Sequence, residues 1–289
     1  MPDIRFGNSS YFLYLLMMVA FTWLLYAWLK PRGERFRFNV LLTILMSGFL
    51  LHVLKLVLVS DYRAAWPQSL TLASLENLCA ISTVVFPFFF LSRKTILLDY
   101  LVIVGTLSGL MAFLVPTEGL GRQPFEAAII RFYYAHFVVF AVPFLTAKLG
   151  MHKIDVRRIF KLFPLVYGAM VVVMVNEWML NAFGIVNATF LDYQSGNFRN
   201  TAFVFGIPDI IAFLKPYVYV FVPGFMLTHP VTGEPMHWPL VWAMLPIFIY
   251  GTLGAVMTCF FYEGEETRKS LKTLMVTLKL AKPAEEKTP

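Results

Sequence analysis

Long apolar runs separated by short polar ones organise the chain. About 20 apolar residues suffice for a helix to cross ~30 Å of hydrocarbon. Runs of that order occur at approximately 10–29, 38–60, 70–92, 95–115, 124–147, 159–182 and 238–261. In lipid, every backbone N–H and C=O must be satisfied inside the protein, and a helix does this within one segment. The pattern therefore predicts an all-α polytopic membrane helix bundle of about seven transmembrane helices. An eighth apolar piece, 208–228, contains Lys215, Pro216, Pro223 and Gly224. These interrupt helical hydrogen bonding, so the piece is expected to be re-entrant or interfacial.

The polar punctuation predicts orientation, because Lys and Arg collect beside spans on the cytoplasmic side. Lys30, Arg32, Arg35 and Arg37 follow the first run, Arg93 and Lys94 the third, and Lys148, Lys153, Arg157, Arg158 and Lys161 the fifth. The alternate loops carry few: Arg63 with Asp61, Arg122 with Glu118, and Arg199 with Asp192. The tail carries Arg268, Lys269, Lys272, Lys279 and Lys282. Seven crossings with the N-terminus outside put that tail in the cytoplasm, whereas eight would not. The expected organisation is one transmembrane domain over 1–262 and a solvated, partly disordered tail over 263–289. The first run lacks a basic segment before it, so it is expected to be a retained helix and not a cleaved signal.

Composition agrees with this pattern. Hydrophobic residues make up 58% of the chain and charged residues 14%, with a mean hydropathy of +0.69, outside the range of water-soluble domains. The protein is expected to be integral to the membrane, which in a bacterium means the inner membrane. The net charge of +7 is the orientation signal together with an affinity for anionic headgroups, and calls for no nucleic acid. Two cysteines make no disulfide framework, and Cys79 and Cys259 are expected near opposite ends of their helices. No internal repeat is evident, which weighs against a repeat-built transporter. The glycosylation triplets at Asn8 and Asn187 are short enough to arise by chance.

Polar groups inside the runs carry the chemistry, since burying them in a membrane is costly. The stretch "TLASLENLCAIS" (71–82) holds Glu76, Asn77 and Cys79. The second run holds His52 and Lys55, the fifth Glu126, Arg131, Tyr133 and His136, and the sixth Asn176, Glu177 and Asn181. At ~1.5 Å per residue, Cys79 lies roughly 14 Å from the outer end of its run at Leu70, and His136 roughly 18 Å from Pro124. Glu76 and Cys79 are expected on one helical face. Glu126, Tyr133 and His136 share another, with Arg131 opposite them and paired with Glu177 or Glu76. A lone Cys or His in an apolar helix usually only packs. A thiol and an imidazole at one depth, however, are the parts of a Cys-His nucleophile pair with Cys79 attacking and His136 as base. Glu76, Asn77, Arg131, Tyr133, Asn176, Glu177 and His52 would line the substrate pocket. The five histidines show no metal-ligand spacing, and no phosphate loop, nucleophile elbow or dinucleotide fingerprint occurs. No metal and no cofactor are expected.

The segments "LENLCAIS" (75–82) and "PFEAAIIRFYYAHFVVFAVPFL" (124–145) resemble the YwaF-like family of integral membrane proteins, which includes transmembrane protein 164. Leu75, Leu78, Cys79 and Ile81 fit the family's Leu-x-x-Leu-Cys-x-Ile helix, and Arg131 and His136 fit its Arg-x4-His helix. The resemblance covers roughly 10–182. It implies acyl transfer between lipids, with the cysteine accepting the acyl group and the histidine as its partner. The family usually reads His-Leu-Cys-Asn where this chain has Asn77-Leu78-Cys79-Ala80. After the sixth helix the family tends to an Asn-Tyr pair before a proline, which "GIVNATFLDYQSGNF" does not supply.

Two functional readings follow. One is a membrane-embedded lipid acyltransferase whose Cys-His pair opens to the outer leaflet. Its partners would be membrane phospholipids or acyl chains, with no obligate protein partner. The other is a small-solute transporter or ligand-binding seven-helix protein in which the same polar cluster holds the solute and 208–228 gates it.

Overall fold

The computed structural model describes residues 1–199 and 202–277. Ten α-helices occur in it: α1 Ser9–Leu29, α2 Glu34–Leu58, α3 Ser60–Ala64, α4 Leu70–Ala73, α5 Leu78–Ser92, α6 Thr95–Leu114, α7 Ala127–Lys148, α8 Phe163–Ala182, α9 Lys215–Tyr219 and α10 Met244–Thr277. A 3-10 helix at Val156–Leu162 leads into α8. Among the described residues, six helical segments are long and apolar enough to cross a membrane. The fold is a polytopic helical bundle.

The third run departs from expectation. Residues 70–92 do not form one helix: α4 ends at Ala73 and α5 begins at Leu78. The Ser74-Leu75-Glu76-Asn77 link is extended at Ser74 and again at Asn77, whose side chain accepts from Ala80 N and caps α5. An Asn side chain at an N-cap replaces a missing intrahelical acceptor. Here the local capping chemistry outcompetes continuation of the helix. At 15 residues, α5 is roughly 22 Å long.

The bundle has two distinct ends. At one, the N-terminal segment pairs with the 115–126 loop through Ile4 N to Arg122 O and Gly121 N to Ile4 O, both 2.9 Å, and Tyr14 donates to Pro124 O. The α2–α5 connection and residues 183–243 lie at this end too, with Tyr62 bonded to Arg131 and Arg199 to Glu177. At the other end Arg37 donates to Leu149 O at 3.1 Å. There the buried Asp99 accepts from Arg158 Nε (2.6 Å) and Nη2 (2.9 Å) and pairs with His152 Nε2 (2.8 Å).

Close approach of α6 to α7 depends on two glycines one helical turn apart. A Cβ on Gly105 would lie 2.5 Å from Pro143 Cγ and 2.9 Å from Val139 O, and one on Gly109 would lie 2.7 Å from Phe140 N. Small residues at this spacing let membrane helices touch backbone to backbone. Gly109→Leu is expected to cost about 1–3 kcal/mol or more through overpacking, measurable as a lower unfolding midpoint in detergent. Gly254→Leu should do less, because its nearest neighbour is the movable tip of Leu107.

Residues 183–199 and 202–243 form an irregular cap. The piece 208–228 is broken into a 3-10 turn Asp209–Leu214, α9 and a 3-10 turn Gly224–Met226. Tyr193, Val204, Phe205, Leu240 and Trp242 are buried together with Met170 and Val173 of α8, while Phe213, Tyr217, Val220 and Phe225 remain exposed. Trp242 Nε1 donates to Val204 O at 3.1 Å. His237 donates from Nδ1 to Gln194 O (3.3 Å), so its Nε2 accepts from the Tyr219 hydroxyl (2.6 Å). Burial holds the His237 pKa below its ordinary value, and the Lys215 charge acts in the same direction. A histidine depressed in the fold contributes stability above its unfolded pKa of about 6.5 and loses it as pH falls. Limited proteolysis within 183–243 is therefore expected to accelerate as pH falls below about 6.5. His237→Gln should flatten that dependence.

The helix α10 bends at Glu263 (φ −133°, ψ 49°) and resumes to Thr277, so the predicted boundary at 262/263 is a kink and the residues after it are helical. Thr267 is buried and Leu271 packs on the main core. Residues 278–289 of the expected tail lie outside the described residues.

Candidate functional site

The break before α5 builds the site. Asn176 of α8 holds it: its Oδ1 accepts from Leu75 N at 3.3 Å and its Nδ2 donates to Ser74 Oγ at 3.0 Å. This turns the link inward and starts α5 inside the bundle. Glu76, Asn77, Cys79, Ala80 and Thr83 from the link and α5 then meet His52 and Lys55 of α2, Glu118 of the 115–126 loop, and Arg131, Ala135 and His136 of α7 around one cavity of ≈ 30 Å³. That is room for a water or two. Asn176→Ala leaves two polar groups of the link without their partner. It is expected to cost about 1–3 kcal/mol, read as a lower unfolding midpoint in detergent.

Cys79 is the second residue of α5, in its first turn and not midway along a helix. Its thiol donates to Ser108 O of α6 across 4.0 Å, and Thr83 Oγ1 donates to Cys79 O at 2.8 Å. A carbonyl accepts from a thiol and repels a thiolate, so the resting form is S–H. With Ala80 N capped by Asn77 and Ile81 N bonded to Asn77 O, the N–H groups of Leu78 and Cys79 have no intrahelical acceptor. They point out of the positive end of the helix dipole.

His136 is buried, with Nδ1 2.8 Å from Phe132 O and its ring 4.3 Å from the Phe132 ring. A carbonyl only accepts, so the proton sits on Nδ1 and the lone pair on Nε2. Lys55 Nζ lies 3.4 Å from His52 Nδ1. Arg131 donates to the Tyr62 hydroxyl at 3.0 Å and stands 3.7 Å from Glu118 Oε2. Its Nε is buried without a hydrogen-bond partner among the described residues. The cavity thus joins two cations, Lys55 and Arg131, with two carboxylates, Glu76 and Glu118.

Of the residues expected at the site, Cys79, His136, Glu76, Asn77, Arg131 and His52 share this cavity. Asn176 acts one layer out, on the link. The expected partner of Arg131 is corrected: Glu177 pairs instead with Arg199, Nε to Oε2 at 3.2 Å. Tyr133 turns away and stacks on Tyr14, ring centroids 3.6 Å apart. Glu126 is on the surface with Arg122, which holds its carboxyl below the usual range. In the sequence, Glu118 is a loop charge near Arg122. No short-range pattern marks it, because the loop and not the sequence neighbour turns it inward.

The fold and this site define a multi-pass helical membrane protein with a charged cavity holding a thiol and an imidazole. The model of the TMEM164 family matches residues 5–228, and the chain belongs to that family. The match extends past α8 through the broken part of the cap. No curated protein and no solved structure matches the chain.

Proposed function

We propose that the protein is a membrane lipid acyltransferase that uses Cys79 as nucleophile and His136 as general base. The observation that carries this reading is one cavity lined by both residues, with His136 fixed by Phe132 O in the tautomer whose Nε2 is free to take a proton. The charge distribution of the loops favours entry from the outer leaflet.

His136 Nε2 takes the Cys79 proton while sulfur attacks the ester carbonyl of a donor lipid. The carbonyl oxygen becomes an oxyanion near the uncapped N–H groups of Leu78 and Cys79, which favour negative charge there. The ester C–O bond breaks, the leaving alcohol takes the proton from His136, and a thioester remains. An acceptor hydroxyl then gives its proton to His136 and attacks the thioester. The C–S bond breaks and the thiol recovers its proton. Lys55 and Arg131 suit a lipid phosphate, and Glu76 and Glu118 balance their charge when no lipid is bound.

Acyl exchange between a phospholipid and a lysophospholipid, followed by lipid mass spectrometry on purified protein in nanodiscs, tests the reading. Exchange above protein-free nanodiscs is expected. Its absence with several donors and acceptors sinks the proposal.

A further inference from the structure

Two apolar cavities lie beside the first turn of α5, where Leu78 lines both. The first, ≈ 320 Å³, lies between the cap, α8 and α10; the second, ≈ 270 Å³, lies between α6, α8, α10 and the 3-10 turn before α8. They share Leu78, Val166, Ile247 and Gly251. Leu78 adjoins Cys79 in the chain, and Ser108, whose carbonyl accepts from the Cys79 thiol, lines the second cavity. None of the described residues lining either cavity is charged, whereas Lys55, Arg131, Glu76 and Glu118 line the cavity that Cys79 itself borders.

Polarity thus changes between two neighbouring residues, Leu78 lining the apolar cavities and Cys79 the charged one. A ligand spanning that boundary needs a polar head, a carbonyl at the junction and a slender uncharged tail. We propose that the paired apolar cavities form one groove that holds a single hydrocarbon chain of an acyl lipid, and that Gly251 keeps it open. Along α6 the second cavity runs from Met111 to Ile103, about 12 Å, which matches roughly ten extended methylenes. Gly251 lies where both cavities meet, and a Cβ there meets nothing within 4 Å. A larger side chain therefore enters the groove without displacing backbone. The position of the carbonyl rests on the acyl-transfer reading; occupancy of the groove does not.

The test uses the full chain in nanodiscs with a phosphatidylcholine carrying a diazirine near the end of one acyl chain. Cross-linked residues are mapped by peptide mass spectrometry. Labelling is expected at 103–111, 159–166 or 247–255, falling stepwise through Gly251→Ala, Gly251→Leu and Gly251→Phe to at least about tenfold below wild type. Val166→Phe, filling the groove from the opposite wall, should reproduce the loss. Cys79→Ala should keep the labelling. Groove labelling unchanged in both Gly251→Phe and Val166→Phe, or labelling confined to lipid-facing α1, overturns the proposal even where an acyl adduct forms on Cys79. Labelling that responds as described, with no adduct on Cys79, upholds the groove and removes the acyl-transfer reading alone.

Discussion

Cys79→Ala is expected to reduce acyl exchange by about 10⁴-fold or more, to the level of protein-free nanodiscs, because it removes the sulfur that attacks the ester and carries the acyl chain. His136→Ala removes the base alone and should cost about 10²–10⁴-fold. The double variant should lose little beyond Cys79→Ala, since residues acting as a unit are non-additive. Cys79→Ser keeps size and hydrogen bonding to Ser108 O but exchanges a good nucleophile for a poor one, so its activity should also collapse. Arg131→Gln should instead lower exchange moderately and raise the lipid concentration needed. A solute carrier would rank these oppositely, tolerating Cys79→Ser and failing when Arg131 is neutralised. Each variant is compared at matched unfolding midpoint, so that loss of fold is not counted as loss of chemistry.

The largest effect on stability is expected at the opposite end of the bundle. Asp99 is 1% exposed and is held by two bonds from Arg158 and one contact with His152. Removing one partner of a buried pair leaves an uncompensated charge, at a cost of about 3–5 kcal/mol. Arg158→Ala should therefore lower the unfolding midpoint in detergent more than Arg157→Ala does, since Arg157 is exposed and bonds Asp155 at the surface. Replacing Asp99 and Arg158 together by Asn and Met should recover most of the loss, because both charges go at once. This cluster ties α6 to the 149–158 loop, far from Cys79, so exchange per folded molecule should change little.

The bundle was legible in the sequence because lipid imposes a length and a polarity on each crossing. The runs at 10–29, 38–60, 95–115, 124–147 and 159–182 coincide with helices to within a few residues. The broken third run was not legible as broken. Leu70, Leu72, Leu75 and Leu78 keep local hydropathy high across Ser74–Asn77 and mask the Asn77 cap, while the link that the cap opens is held by Asn176, about a hundred residues later. Helical angles placed Tyr133 with His136, but stacking on Tyr14 and the position of α1 decide which side each one faces. The thiol and the imidazole were found because their polarity is anomalous in an apolar run. Ser108, Gly105 and Gly251 were not, because a small residue in a membrane helix looks ordinary until its neighbours are known.

The central claim is that Cys79 carries an acyl group. Intact-protein mass spectrometry after incubation with a defined phospholipid tests it directly. The account predicts an added mass equal to that lipid's acyl group less one hydrogen, removed by neutral hydroxylamine, absent from Cys79→Ala, and accumulating when no acceptor is supplied. An adduct that persists in Cys79→Ala, or an unmodified wild-type protein under conditions where acyl exchange is measured, contradicts it.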